Sequence, residues 1–91
     1  MQVKIIHYAS PTCSICTTQD RILEELKENS NIEYEAKIIT TDFVDALKYG
    51  VKSAPTLVYL VDNKAMAVRP GFQSREKILA EIGHLQKSLS P

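Results

Sequence analysis

Apolar residues along the chain fall into two kinds of pattern. Val3–Ala9 is apolar except at Lys4 and His7, which predicts a strand covered on both faces. Over residues 14–28, Ile15, Ile22, Leu23 and Leu26 recur at helical spacing. Asp20, Arg21, Glu24, Glu25 and Lys27 fill the rest of that turn pattern, predicting an amphipathic helix with a solvated charged face. Asn29, Ser30 and Asn31 are turn formers that end it. Residues 32–39 alternate imperfectly but favour an extended chain, and are expected to form a second strand. Thr41-Asp42 reads as the N-cap of a short helix through Lys48, with Gly50 placed to stop it. Thr56–Val61 is a third strand, Asp62-Asn63-Lys64 a tight turn, and residues 65–69 a weaker fourth strand, so the pair forms a hairpin. After Pro70-Gly71 breaks the chain, Ser74 caps a last helix whose apolar positions are Ile78, Leu79, Ile82, Leu85 and Leu89. Phe43 and Phe72 read as core anchors. The order β-α-β-α-β-β-α predicts an α/β domain: a four-stranded mixed sheet flanked by three helices.

Composition narrows the function classes. At 91 residues the chain suits one domain with a modest core, spanning 1–91. Eleven Lys plus Arg balance 11 Asp plus Glu, so neither a basic stripe for nucleic acid nor an acidic tail is present. The longest apolar stretch, residues 55–61, is too short to span a bilayer. Met1-Gln2 leads directly into a strand-like run, without the segments of a secretory signal, so a cytoplasmic location is expected.

The chemistry is concentrated in "SPTCSIC" at residues 10–16, which holds both cysteines of the chain. In a reducing cytosol such a pair is catalytic or metal-binding rather than a staple. At the start of a helix, Cys13 would face backbone N–H groups that lack internal partners, and the positive end of the helix dipole. Its pKa should fall below the free value of about 8.5, making it a nucleophile near neutral pH. Cys16 lies about one helical turn on, able to attack a mixed disulfide formed at Cys13. Pro11 keeps the preceding residue extended, so the strand turns before the helix begins. The alternative is a zinc site, for which only His7 and His84 could complete the four ligands.

"YGVKSAPTLVYL" at residues 49–60, taken with the Cys-x-x-Cys after a strand, resembles the thioredoxin superfamily. The resemblance covers nearly the whole chain. It implies that the Ala54–Pro55 bond is cis and that Pro55 faces the cysteine pair. Ala54 would then offer its backbone to an extended substrate segment, as an added strand does. "RPGF" at residues 69–72 is similar to the family's glycine-containing turn before the last helix. Thr12 stands where thioredoxins carry Trp, and Ser14-Ile15 replaces their Gly-Pro. Length and element order are closer to glutaredoxins and to small glutaredoxin-shaped, thioredoxin-like proteins that serve ribonucleotide reductases. The glutaredoxin pattern itself is replaced, by Ser53-Ala54-Pro55 and by Pro70-Gly71-Phe72-Gln73. His7 takes the place of the family's buried Asp, a position suited to relaying a proton to or from Cys16, although a packed strand histidine is the alternative. Lys37 loosely resembles the lysine partner of that Asp, against the alternative of a solvated edge-strand lysine. Tyr8 reads as a core or surface tyrosine.

The expectation is therefore a monomeric thiol–disulfide oxidoreductase acting as a thioredoxin-like electron donor, with no cofactor or metal. Cys13 and Cys16 carry the chemistry, and Pro55, Ala54 and Thr12 contact substrate. Thr12, Ser14, Ile15, Ala54 and Phe72 would form an uncharged docking rim. Its partners would be disulfide-containing proteins, such as a ribonucleotide reductase or a peroxidase, and a reductase of the thioredoxin-reductase type. The alternatives are a glutathione-dependent glutaredoxin and a non-redox binding module whose cysteines hold zinc.

Overall fold

The two most apolar runs become the two central strands of one sheet. Strand β1 (Val3–Ala9) pairs antiparallel with β3 (Thr56–Val61), with His7 opposite Leu57 and Tyr8 opposite Thr56. On the other side of β1 runs β2 (Ile32–Ile38) in parallel, and β4 (Lys64–Pro70) lies antiparallel to β3. The sheet order is β2-β1-β3-β4. The structure, a computed structural model, describes residues 3–30 and 32–89, with side chains described through Lys87. Met1-Gln2, the turn residue Asn31 and the side chain of Leu89 lie outside the described residues.

A parallel strand pair requires a crossover connection. Helix α1 (Ser14–Asn29) supplies it between β1 and β2, while α2 (Phe43–Lys48) leads toward β3 and α3 (Arg75–Leu89) follows β4. The sheet's two faces are covered unequally. On one, Val3, Ile5, Leu57, Tyr59 and Val61 pack beneath Leu23 and Leu26 of α1 and Ile78, Ile82 and Leu85 of α3. On the other, Ile6, Tyr8, Val58 and Leu60 pack with Ala46 of α2 and Val51. Burial on both faces explains the continuous apolar character of β1 and β3.

The turn chemistry follows the sequence closely. Asp62 and Asn63 both take positive φ (51° and 68°), the backbone that matches a two-residue turn to the twist of β3 and β4. At the end of α2, Gly50 (φ 72°) donates its N–H to Leu47 O at 3.0 Å, and Val51 donates to Ala46 O at 2.8 Å. Ser74 starts α3, its hydroxyl accepting from Lys77 N–H at 3.3 Å. Asp42 occupies the N-cap of α2 without capping it: its carboxylate accepts instead from Ile38 N–H at 3.2 Å, bracing the end of β2.

Helical spacing placed some apolar residues too deep. Ile15 and Leu79 are each 43% exposed, and the expected core anchors Phe43 and Phe72 are 56% and 37% exposed. The buried stripe of α1 is Cys16, Gln19, Leu23 and Leu26, rotated away from Ile15. The edge-strand Lys37 is not simply solvated. Its Nζ donates to Asp45 Oδ2 at 2.7 Å and stands 3.9 Å from Glu35. No helix among the described residues is long and apolar enough to cross a membrane.

Two stability predictions follow from this packing. Leu57→Ala, at a fully buried site, is expected to destabilise by about 2–5 kcal/mol, whereas Leu79→Ala should change stability by no more than about 0.5 kcal/mol in urea unfolding. The hydrogen bond from Lys37 holds the Asp45 carboxyl below its ordinary range. A carboxyl lowered in the folded state stabilises it above the unfolded pKa of about 4, and the contribution is lost as pH falls through the folded value. The urea midpoint of Asp45→Asn should therefore lie slightly below that of the unsubstituted protein at pH 7. The two should converge as acid protonates Asp45.

Candidate functional site

At the end of β1 the chain turns through Ser10–Cys13, closed by the Cys13 N–H donating to Ser10 O at 3.1 Å. Cys13 is the N-cap of α1, with extended backbone (φ −93°, ψ 101°) and no side-chain capping hydrogen bond. The first amides of a long helix thus have no side-chain acceptor at the cap. Cys13 and Cys16 are joined by a disulfide, with Cα atoms 5.4 Å apart. Their environments differ. Cys13 is half-buried at the rim, whereas Cys16 faces inward with 4% of its surface exposed. On reduction, the Cys13 sulfur would stand at the positive end of α1, where a thiolate is favoured.

Strand register brings the second segment to the same place. Thr56 is opposite Tyr8, so Pro55 falls beside the end of β1, where the cysteine turn begins. The Ala54–Pro55 bond is cis, as the resemblance implied. Thr56 closes this loop, its hydroxyl donating to Ser53 O at 2.7 Å. A third segment is tied to both. Gly71 N–H donates to Pro55 O at 2.8 Å. Gln19, fully buried on α1, accepts from Gln73 N–H at 2.8 Å and donates to Gln73 O at 3.0 Å. These bonds hold the start of α1, the cis-proline loop and the turn after β4 at one end of the sheet. Thr12, Ser14, Ile15 and Phe72 are exposed there, and Ala54 is half-buried.

His7 is completely enclosed, and its Nδ1 lies 2.7 Å from Asp20 Oδ1. The same oxygen accepts the hydroxyl of Tyr34. Asp20, read from the sequence as part of a solvated face, is therefore bound to both β1 and β2. The Nε2 atom of His7 is buried without a hydrogen-bond partner among the described residues. Lys37 aligns with Tyr8 on the opposite face of the sheet and bonds Asp45, so it does not partner His7. Tyr8 is a buried core tyrosine. His84 is exposed on α3 and His7 is committed to Asp20. No group of three or more His, Cys, Asp or Glu side chains able to hold a metal occurs among the described residues.

Three residues of this site escaped the sequence reading: Gln19, Asp20 and Tyr34. A signal for two of them existed. Gln19 and Asp20 lie three and four residues after Cys16, hence on its side of the helix. Tyr34 needed the β1–β2 register, which sets it beside Ile5 on the face of His7.

A family model described as thioredoxin domain matches residues 1–82. Among solved structures, a malarial protein superposes with a TM-score of 0.82 at 23% identity, covering 92% of this chain and 97% of that one. A variant thioredoxin from Halobacterium salinarum gives 0.85 at 22% identity, covering 98% of this chain and 78% of that one. Desulfothioredoxin from Desulfovibrio vulgaris, in its reduced form, gives 0.82 at 16% identity, covering 92% and 82%. At these identities the likeness is one of fold. No curated protein matches the sequence.

The unequal burial of the two sulfurs predicts an order of modification. After reduction, limiting iodoacetamide should alkylate Cys13 first and leave Cys16 largely unmodified until the protein is unfolded, as peptide mass spectrometry would read.

Proposed function

The chain belongs to the thioredoxin domain family, and we propose that it reduces disulfides in other proteins by dithiol exchange. One observation carries the reading: a half-buried cysteine at an uncapped helix N-terminus is joined by a disulfide to a buried cysteine one turn on. In the first step the Cys13 thiolate attacks a partner disulfide. A bond forms between Cys13 and one partner sulfur, the partner S–S bond breaks, and the departing sulfur takes the electron pair and a proton. In the second step Cys16 loses its proton and attacks the Cys13 sulfur. The Cys13–Cys16 disulfide forms and the remaining partner sulfur leaves with its electron pair. The partner gains two electrons, and a reductase of the thioredoxin-reductase type returns two to the oxidised protein.

The other residues divide these tasks. Pro55 and Ala54 position an extended segment of the partner beside Cys13, the Ala54 backbone pairing with it as an added strand. Thr12 contacts the same segment from the other side of the sulfur. His7 relays the Cys16 proton, a role supported by its enclosed and unpartnered Nε2. The protein acts as a monomer in the cytoplasm, without cofactor or metal. Its partners are disulfide-containing proteins, such as a ribonucleotide reductase or a peroxidase.

Insulin reduction coupled to NADPH and thioredoxin reductase tests the reading. Turnover is expected there and not with glutathione and glutathione reductase; the reverse result would favour the glutaredoxin alternative. Cys13→Ser should reduce turnover to background, while Cys16→Ser should accumulate a mixed disulfide with the partner, visible on a non-reducing gel. Equal residual turnover in both variants would overturn the assigned roles.

A further inference from the structure

The two ring nitrogens of His7 have unlike surroundings. Nδ1 is 2.7 Å from Asp20 Oδ1, while Nε2 is buried without a partner among the described residues. Asp20 Oδ1 also accepts the Tyr34 hydroxyl. An ionised carboxylate has acceptors only, so Asp20 can receive both hydrogen bonds but donate neither. The proton in the His7–Asp20 bond therefore belongs to Nδ1, and in the neutral ring the lone pair is on Nε2. Burial, and then the bond to Asp20, push the Tyr34 hydroxyl pKa up, so Tyr34 stays a donor.

The backbone fixes where this arrangement sits. Tyr34 lies beside Ile5, on the face of the sheet that carries His7. Asp20 is one turn beyond Cys16 on α1, flanked by the buried Gln19 and Leu23. An enclosed imidazole with one nitrogen committed and the other open is thus bonded to α1 one turn beyond the buried cysteine. Resting on the reading of His7 as a relay, we propose that Asp20, held by Tyr34, is a positioning residue that locks His7 in its Nδ1-protonated form and turns the Nε2 lone pair toward the Cys16 thiol.

In the resolving step the Cys16 S–H proton passes to Nε2. The freed electron pair forms the bond to Cys13, and the bond between Cys13 and the partner sulfur breaks, its electron pair leaving on that sulfur. The imidazolium so formed faces the Asp20 carboxylate. When the disulfide is reduced again, the proton returns from Nε2 to Cys16.

The test follows the two thiolates released when the reduced protein reacts with a bis-nitrobenzoate disulfide in a stopped-flow instrument. The first release reports attack by Cys13 and the second reports resolution by Cys16. His7→Gln should slow the second release by on the order of 10²-fold, and Asp20→Asn by about 10-fold, with the slowing confined to that phase. Tyr34→Phe should slow it by a smaller factor. Nitrogen NMR of the unsubstituted protein, which no folding defect can obscure, should find Nδ1 protonated and Nε2 bare in the neutral ring. A protonated Nε2 there would overturn the proposal. A normal second phase in Asp20→Asn beside a slow one in His7→Gln would remove the role of Asp20 and leave the His7 relay standing. Normal second phases in both would remove the relay as well. A single equivalent released by the unsubstituted protein would overturn the dithiol mechanism itself, and this proposal with it.

Discussion

Strand β1, like its neighbour β3, has partners along both edges and cover on both faces, so its backbone is tightly constrained. Everything at the site is referred to it. The cysteine turn leaves its C-terminal end, and the cis-proline loop is set against that end by the pairing of Tyr8 with Thr56. His7 projects from the strand beneath α1, where it meets Asp20. A packed interior transmits small shifts instead of absorbing them, so a strand fixed on four sides holds a reactive group to close tolerance.

The second requirement is that three chain segments, far apart in sequence, stay together around an accessible sulfur. Hydrogen bonds to the main chain meet it. Gln19 binds both polar groups of the Gln73 backbone, and Gly71 binds the Pro55 carbonyl. A buried glutamine is costly unless its amide is satisfied, and here both ends are. The side chain that interrupts the apolar stripe of α1 is thus the one that ties the helix to the turn after β4.

Much of this was legible in the sequence. The runs at Val3–Ala9 and Thr56–Val61, the turn residues Asp62 and Asn63, and the hydroxyl of Ser74 each carry a local physical cause, and each element formed near its expected bounds. The cysteine spacing and the Ala-Pro-Thr sequence marked the end of the sheet where the disulfide and the cis bond lie. What stayed hidden depends on how elements cover one another. Helical spacing gives the angle of Ile15, Leu79 and Phe43 about an axis, but not whether another layer lies beyond them, and each remains exposed. The bond between Asp20 and His7 joins residues 13 apart through a helix-on-sheet contact, which no local pattern encodes.

The surface around Cys13 carries no formal charge at Thr12, Ser14, Ile15, Ala54 or Phe72, and the chain as a whole is electrically balanced. Such a molecule exerts little long-range pull, so collisions with other proteins are set by diffusion and scarcely by salt. In the dithiol exchange proposed above, discrimination among disulfides would then belong to the interval after contact, when shape and backbone pairing decide whether an encounter outlasts the exchange of a sulfur.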